Sequence, residues 1–524
     1  MKKFINKIKN NKVLSILSVL IIGLFFILVT RITYAYLAPV INDAQTNVVG
    51  STDTVDDFKF ELGNPLKINA TPTTLKENGS NYTTSTTAKA LLKANSTKKT
   101  ATFNYYVYFL IKSNTFTYSD GSTPEIILTV TNPNGDEITS IDGLTYGTFN
   151  GVSGFDVTTK SGLFNIANNH EITSNSSTTY TTQSWTIKIT YLNLSIDQSA
   201  NFGNSMGVNV YITKNEKKLT LADVCSNGQI LSSCIVAMDG KDDTLYHHTS
   251  TLTNGAGDNS YRYAGASKSV NNFVCFGSTT SPCPTDNLYR IIGVFGENNH
   301  GVTGKQLVKL IKYDYATSTL LGTDGDHSGS DTPDTNYYKG SLTSVDTYYW
   351  NNVTKKNTWS ESNLNKINLN TNFINNIGST WANKIITTTW KVGGNTYDNI
   401  VKSVPPVAYQ NEIVAPAENT TYDAKIGLMY ASDYGFAASP NAWSTTLRNY
   451  SNVTANNWMY MGGNEWTISR NSGGSYLAFV VRDVGDVSYY NVSNYTGVRP
   501  SFNLSSSITY VSGSGSMTDP ILIN

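Results

Sequence analysis

The stretch from Trp443 to Tyr495 interleaves aromatic side chains with amides and carboxylates. Sugars bind proteins by stacking their apolar faces on exposed aromatic rings beside such hydrogen-bonding groups. The competing interpretation is that most of these rings belong to the core, because large aromatic residues are usually mostly buried. The segment as a whole is therefore a stronger candidate than any one residue in it. The residues selected as ligand-binding are Trp443, Trp458, Trp466, Asp483, Tyr489 and Tyr490.

A second candidate site is a calcium loop between residues 323 and 331, where oxygen-bearing side chains stand at alternate positions around glycines. An EF-hand-like loop also needs a Glu at its twelfth position, and Thr335 stands there instead. A solvated loop without metal is therefore the competing interpretation. Calcium is the one cofactor that the sequence suggests. Its candidate ligands are Asp324, Asp326, Ser328 and Asp331.

We select no catalytic residue. There is no Cys–His pairing and no glycine-rich phosphate loop. Glycoside hydrolysis needs only two carboxylates, which sequence spacing does not reveal, so a surface glycoside hydrolase or peptidase stays an alternative. Arg290 and Arg499 each lie inside an apolar strand pattern and are expected to be satisfied core or interface arginines, not catalytic groups.

The charge balance argues against a nucleic-acid partner. Lys and Arg together number 38, Asp and Glu also number 38, and only 15% of residues are charged. Such a chain offers no basic field to gather phosphates. We expect the partner to be an extracellular glycan or protein instead.

The N-terminus reads as an export signal. Five lysines between Lys2 and Lys12 precede an apolar run over residues 13–29, and Thr33 and Ala35 stand at the −3 and −1 positions of a signal-peptidase site. Residues 1–36 are therefore a cleaved signal peptide or, if uncleaved, a membrane anchor through residues 13–29, whose length is at the lower limit for a spanning helix. We expect the chain at the extracellular face of the cell membrane or secreted.

Four cysteines lie close together in a chain that is expected to leave the reducing cytoplasm. Two disulfides are therefore predicted. Spacing favours the local pairs Cys225–Cys234 and Cys275–Cys283, although four cysteines allow three pairings. A zinc site is the weaker alternative, because no C-x-x-C is present.

Period-two patterns dominate the first half of the chain. In Trp185 to Tyr191 the large apolar residues take every other position, as they do from Met206 to Ile212. Residues 103–111 and 126–131 add strands, and Asn-Pro-Asn-Gly at 132–135 is a turn. Strands that have one apolar and one polar face and are joined by short turns favour an antiparallel β-sandwich over residues 37–214.

The pattern changes after a charged stretch at residues 214–218, where we place a domain boundary. Residues 215–240 are expected to be a linker with a short helix, and residues 241–524 an α+β domain. Residues 361–386 carry apolar residues at three- and four-residue spacing and predict one amphipathic helix. Further strands are expected at 287–296, 306–312, 426–430, 466–469, 476–482 and 498–504.

The first half, over about residues 31–213, resembles the TasA/camelysin family. The resemblance rests on Thr33-Tyr34-Ala35-Tyr36, on the segment 47–62 with Phe58 and Phe60, and on the strand 185–191 followed by Ile196-Asp197-Gln198. It implies an exported jelly-roll protein of a Gram-positive surface or biofilm matrix, with self-assembly into fibres in some members. Proteolysis, described for camelysin, carries over to no residue because H-E-x-x-H is absent.

The second half, about residues 220–524, resembles an uncharacterised domain of Gram-positive surface proteins that is similar to the C-type-lectin-like fold. The signatures are Leu-Tyr-Arg-Ile-Ile-Gly at 288–293, an expected helix at Leu364-Asn365, Ile-Gly-Leu-Met-Tyr at 426–430 with Ser-Asp-Tyr-Gly at 432–435, and Gly-Val-Arg-Pro at 497–500, which leads to Asp519-Pro520. The resemblance implies a lectin-like fold but no defined ligand.

These features together predict a mainly β, multidomain, adhesin-like surface protein whose C-terminal domain binds a ligand. The first alternative is an extracellular matrix or fibre subunit of the TasA type. The second is a surface hydrolase.

Overall fold

The structure is a computed structural model that describes residues 56–72, 79–322, 338–341 and 346–524, the strand 338–341 by its backbone only. The predicted export segment and the predicted calcium ligands lie outside these ranges. The chain divides into two compact units, Met1–Lys217 and Lys218–Asn524. Strand makes up 36% and helix 18%, so the prediction of a mainly β, multidomain protein with antiparallel sheets is confirmed.

The described part of the first unit, residues 56–72 and 79–217, contains ten strands and one short 3₁₀ turn, Ser199–Asn201. The strands are β1 Asp57–Leu62, β2 Leu66–Asn69, β3 Tyr82–Lys93, β4 Ala101–Asn114, β5 Ile126–Thr131, β6 Thr145–Phe149, β7 Val152–Asp156, β8 Gly162–Ser174, β9 Thr181–Tyr191 and β10 Ser205–Thr213. The predicted strands at 103–111, 126–131, 185–191 and 206–212 are confirmed, and β5 has the predicted bounds.

Two antiparallel sheets form this unit, one in the order β1-β3-β9-β5-β7-β6 and the other in the order β2-β10-β4-β8. Both sheets contribute to a single apolar core, to which β9 brings Trp185, Ile187 and Ile189 and β4 brings Val107 and Phe109. The period-two pattern of β9 is thus the pattern of a strand with one buried face. The predicted turn follows β5, where the Gly135 N–H donates to the Asn132 carbonyl at 3.0 Å and Gly135 takes a φ of +91°.

A buried carboxylate organises one end of this first unit. Glu125 is fully buried, and its oxygens accept hydrogen bonds from the Tyr191 hydroxyl at 2.8 Å, the Gln198 amide at 2.8 Å and the Asn201 amide at 3.0 Å. The Ser119 backbone N–H donates to it at 2.6 Å. Four donors replace the water that the carboxylate loses on burial.

The strands of the second unit are β11 Leu245–His247, β12 Tyr261–Tyr263, β13 Phe273–Cys275, β14 Leu288–Phe295, β15 Leu307–Lys312, β16 Tyr338–Ser341, β17 Asp346–Tyr349, β18 Thr388–Lys391, β19 Thr421–Ala424, β20 Ile426–Gly427, β21 Glu465–Arg470, β22 Leu477–Val481, β23 Val487–Asn491, β24 Tyr495–Thr496, β25 Ser501–Asn503, β26 Tyr510–Ser512 and β27 Leu522–Ile523. The unit is built on a seven-stranded sheet in the order β11-β12-β14-β15-β25-β20, with β13 also paired to β14. Every residue of its central strands β14 and β15 is buried, because helices and loops cover both faces. A separate three-stranded sheet, β21-β22-β23, lies within the predicted ligand segment.

The helices of the second unit are short. The α-helices are Leu221–Val224, Leu231–Val236, Glu297–His300, Ser318–Leu321, Ile374–Asn376, Ser379–Ala382, Tyr397–Ile400, Pro405–Tyr409 and Ala431–Phe436, the π-helices are Leu364–Phe373 and Gln410–Val414, and the 3₁₀ turns are Thr285–Asn287, Trp359–Glu361, Pro440–Ala442, Leu447–Asn452 and Thr454–Asn456. Among the residues that the structure describes, no helix has the length and apolar character needed to span a bilayer.

The single helix predicted over residues 361–386 is wrong. A 3₁₀ turn, a π-helix and two short α-helices replace it, and Gly378, with a φ of +79°, separates the last two. Asparagine side chains in this region bind backbone carbonyls: Asn368 donates to Leu321 at 2.9 Å and Asn370 to Ile426 at 2.9 Å. These amides anchor the segment to neighbouring loops, and the π-helical winding aligns them.

The strand predicted at 426–430 is also shorter than expected and ends at Gly427. Tyr430 begins the next element instead, as the N-cap of the helix Ala431–Phe436, and the Asp433 carboxylate accepts a hydrogen bond from the Tyr430 N–H at 3.0 Å. Apolar composition alone does not separate a strand from a buried helix start.

Both predicted disulfides are present with the local pairing. Cys225 is joined to Cys234 and Cys275 to Cys283, with Cα–Cα distances of 5.5 Å and 5.8 Å. Cys234 lies in the helix Leu231–Val236 and Cys275 ends β13. Two disulfides are typical of proteins that fold in an oxidising, extracellular environment.

Candidate ligand-binding surface

The three tryptophans selected from the sequence lie in the core. Trp443, Trp458 and Trp466 are at most 1% exposed. Their indole N–H groups donate to the backbone carbonyls of Ala438, Tyr263 and Tyr348 at 2.8 to 2.9 Å, which is the usual arrangement for a buried tryptophan. The prediction that these rings face a ligand is therefore wrong, since no ring face is open to one.

The other three selected residues stay near the surface on the hairpin β22–β23. The Arg482 N–H donates to the Asp486 carbonyl at 2.8 Å, the Arg482 guanidinium pairs with the Asp486 carboxylate, and Gly485 takes a φ of +92°. This closed turn holds Asp483 at its exposed tip. Tyr489 and Tyr490 follow on β23, an edge strand that pairs only with β22 among the described strands.

Asp483 and Tyr490 converge on Asn464, and Tyr460 joins them. The Asn464 side-chain oxygen accepts from the Asp483 N–H at 3.1 Å and from the Tyr490 hydroxyl at 3.4 Å. The Tyr460 hydroxyl donates to the Asp483 carbonyl. We call these four residues, Tyr460, Asn464, Asp483 and Tyr490, the Asn464 cluster. It combines two half-buried tyrosine rings, one amide and one exposed carboxylate.

Burial raises the pKa of Tyr490, so its hydroxyl stays protonated at physiological pH. Tyr489 is 41% exposed and points to the other face of β23, where its ring lies 5.3 Å from that of Tyr397. The described surface thus offers tyrosine rings on both sides of one edge strand, with the Asp483 carboxylate beside them.

Tyr460 and Asn464 belonged to the predicted segment but were not selected individually. The sequence feature that could have indicated them is Gly462-Gly463, because Gly462 takes a φ of +83° and turns the chain just before β21. A residue between such a turn and a strand is placed on a loop held by a sheet, where binding residues concentrate.

A buried ion pair fixes the loop that carries the Asn464 cluster. The Arg499 Nε donates to the Glu465 carboxylate at 2.7 Å and the Arg499 Nη2 donates to the Met459 carbonyl at 2.7 Å. Both charged side chains are at most 2% exposed. Burial raises the pKa of Glu465, and Arg499 opposes that rise. Because Met459 and Glu465 flank the loop, one arginine holds both of its ends.

Arg290 is a second buried arginine and, as expected, a core residue. It donates to the Asn272 side-chain oxygen at 2.6 Å and the Val270 carbonyl at 2.9 Å, and it stacks 4.6 Å from the centre of the Trp458 ring. Burial lowers the pKa of Arg290 to about 9. Because Arg290 covers the Trp458 ring, no ligand is needed to explain why that ring is buried.

A separate buried cluster joins four charges around the seven-stranded sheet. Asp433 Oδ2 lies 2.5 Å from Lys309 Nζ, and Asp433 Oδ1 lies 3.7 Å from Arg262 Nη1. Arg262 Nη2 lies 2.7 Å from Asp258 Oδ2. A cavity of about 10 Å³ borders Lys309, Tyr430 and Asp433, enough for one water molecule.

Metal-ligand geometry is missing from the described residues: no group of three or more His, Cys, Asp or Glu is arranged to hold an ion there. His247 and His248 diverge, since His247 lies near Asp239 while His248 is buried and accepts from the Ala256 N–H at 3.0 Å. The predicted calcium ligands Asp324, Asp326, Ser328 and Asp331 fall outside the described residues.

Comparisons with protein-family models, curated proteins and solved structures give no match to this chain.

Proposed function

We propose that this protein is a bacterial cell-surface or secreted adhesin-like protein whose C-terminal unit binds an extracellular glycan through the Asn464 cluster and Tyr489. The observation that carries the proposal is the cluster itself: two tyrosines, an amide and an exposed carboxylate meet on a loop and hairpin that a buried ion pair holds in place. Rings beside amide and carboxylate groups are the usual chemistry of sugar binding.

Export is supported by two features. The N-terminal sequence has the basic, apolar and small-residue parts of a signal segment, and the second unit contains two disulfides. Residues 1–36 are then a signal peptide or a membrane anchor.

For the two units we propose a TasA/camelysin-like β-sandwich followed by a C-type-lectin-like domain. The shared apolar core of the two sheets in the first unit supports the sandwich. Loops and a hairpin that carry polar and aromatic residues around a buried sheet support the lectin-like assignment.

The test is a glycan array probed with the exported chain, residues 37–524, with and without calcium, beside an array of extracellular proteins. We expect glycan binding that falls about tenfold or more when Asp483→Ala is combined with Tyr490→Phe, because two hydrogen-bonding groups are lost. Tyr82→Ala, an exposed tyrosine of the other unit, is the matched control and should bind like wild type. Binding that is unchanged by the double substitution, or confined to proteins, would overturn the proposed site or ligand class.

A matrix or fibre subunit is the second candidate, and one observation favours it. Strand β8 has 13 residues and pairs only with β4 among the described strands, which leaves a long sheet edge. Light scattering and electron microscopy of residues 37–524 distinguish the candidates. Fibres would favour the matrix subunit, and a stable monomer at high concentration would exclude it.

A further inference from the structure

The side chains of Lys309 and Asp433 meet deep inside the second unit. Lys309 lies on the central strand β15, and Asp433 is the third residue of the helix Ala431–Phe436. The Lys309 Nζ lies 2.5 Å from Asp433 Oδ2, and the two side chains are 7% and 3% exposed. The two residues are 124 positions apart in the sequence. An amine and a carboxyl group are therefore held in contact without solvent between them.

The aromatic rings around Lys309 exclude water from its side-chain amine. Its Nζ lies 4.6 Å from the ring centre of Tyr430, 5.3 Å from that of Trp390 and 5.6 Å from that of Phe295. Burial lowers the pKa of Lys309, although Asp433 opposes the change. A desolvated lysine amine is a recognised nucleophile toward carbonyl groups.

The surroundings of Asp433 favour attack on its carboxyl carbon. Oδ2 accepts a hydrogen bond from the Tyr430 N–H at 3.0 Å, and Oδ1 faces the Arg262 guanidinium at 3.7 Å. A fixed cation beside Oδ1 stabilises the negative charge that develops there when a nucleophile adds to Cγ. Holding the two groups in contact removes the entropic cost of bringing them together.

We propose that Lys309 and Asp433 join through an intramolecular amide bond between Lys309 Nζ and Asp433 Cγ. A proton first passes from the ammonium to Oδ2, giving an amine and a carboxylic acid. The nitrogen lone pair then adds to Cγ, and Oδ1 carries the negative charge opposite Arg262. The nitrogen gives up a second proton to Oδ2, the Cγ–Oδ2 bond breaks, and one water molecule leaves. No oxidant, reductant or other reactant is needed.

The neighbouring charges and the adjoining cavity are also compatible with an amide at this position. Two opposite charges disappear together, and the remaining pair, Arg262 with Asp258, is balanced at 2.7 Å. Removing a buried ion pair spares the desolvation cost of both ions. The adjoining cavity has room for the one water that the reaction releases.

The experiment measures the intact mass of residues 37–524 after denaturation, reduction and alkylation. We expect a mass below that of the sequence with four alkylated cysteines by one water molecule. Protease digestion should give a branched peptide that contains both Lys309 and Asp433, with no tryptic cleavage after Lys309. Lys309→Arg keeps the positive charge but should restore the full mass, whereas Lys312→Arg, a buried lysine on the same strand, should keep the loss.

Full mass in the wild type, with separate linear peptides for residues 309 and 433, would overturn the proposal. So would a loss of water that persists in Lys309→Arg. If Lys309→Arg does not fold, fragmentation of the wild-type branched peptide still decides the question, because it locates the bond or shows that none exists.

Discussion

Replacing Arg499 with Met should destabilise the second unit strongly. The substitution leaves the Glu465 carboxylate, at most 2% exposed, without its cation, and it removes the donor to the Met459 carbonyl. Removing one partner of a buried ion pair costs about 3 to 5 kcal/mol. Urea denaturation followed by tryptophan fluorescence measures this loss, because seven of the eight tryptophans follow residue 217. The double variant Arg499→Met with Glu465→Leu should recover most of the loss, since no unpaired charge then remains.

The stability that Arg499→Met loses should also depend on pH. Burial raises the folded-state pKa of Glu465 above its unfolded value, so the native state binds a proton more readily and stability falls as pH rises through that range. Without Arg499 to oppose this rise, the deficit of Arg499→Met should be smaller at about pH 5 than at about pH 8. If Arg499→Met alone loses less than about 1 kcal/mol at neutral pH, Arg499 does not balance a buried charge, because only exposed ion pairs contribute so little.

Three further predictions concern stability, each measured by chemical denaturation. Replacing Cys275 and Cys283 with Ser should lower the free energy of unfolding by about 2.5 kcal/mol, because the disulfide closes a loop of eight positions. A reductant should then lower the stability of the variant less than that of the wild type. Gly378→Ala should cost about 1 to 3 kcal/mol, because Gly378 combines a φ of 79° with a ψ of 157°, a backbone conformation essentially confined to glycine, while Gly296→Ala, whose φ is −90°, should cost less. Glu125→Gln should cost the first unit about 1 to 3 kcal/mol, because the new N–H₂ would face either the Ser119 N–H or the N–H₂ groups of Gln198 and Asn201, which are donors too.

The strands could be predicted where one face is buried. From Trp185 to Tyr191 apolar and polar residues alternate because one face of the strand packs on the core, so the predicted strand is the observed one. The helix predicted over 361–386 was wrong because apolar spacing carries no information on asparagine side chains. Asn368 and Asn370 bind the carbonyls of distant loops, and those tertiary contacts favour π-helical winding.

The candidate site could be located only as a segment. Whether Trp458 faces solvent depends on residues far away in sequence, such as Arg290, which stacks on its ring, and Tyr263, whose carbonyl accepts its N–H. Neither contact is visible in the local pattern. The contact of Lys309 with Asp433 is hidden in the same way, since it forms only when β15 and the helix Ala431–Phe436 pack together.

The location and thiol state of the chain in intact bacteria that produce it test its export directly. Fractionation combined with thiol alkylation should find the polypeptide in the medium or accessible to protease at the cell surface, with none of the four cysteines free before reduction. A chain found intact and soluble in the cytosol, with all four cysteines alkylated at once, would contradict export and with it the proposed binding of extracellular ligands.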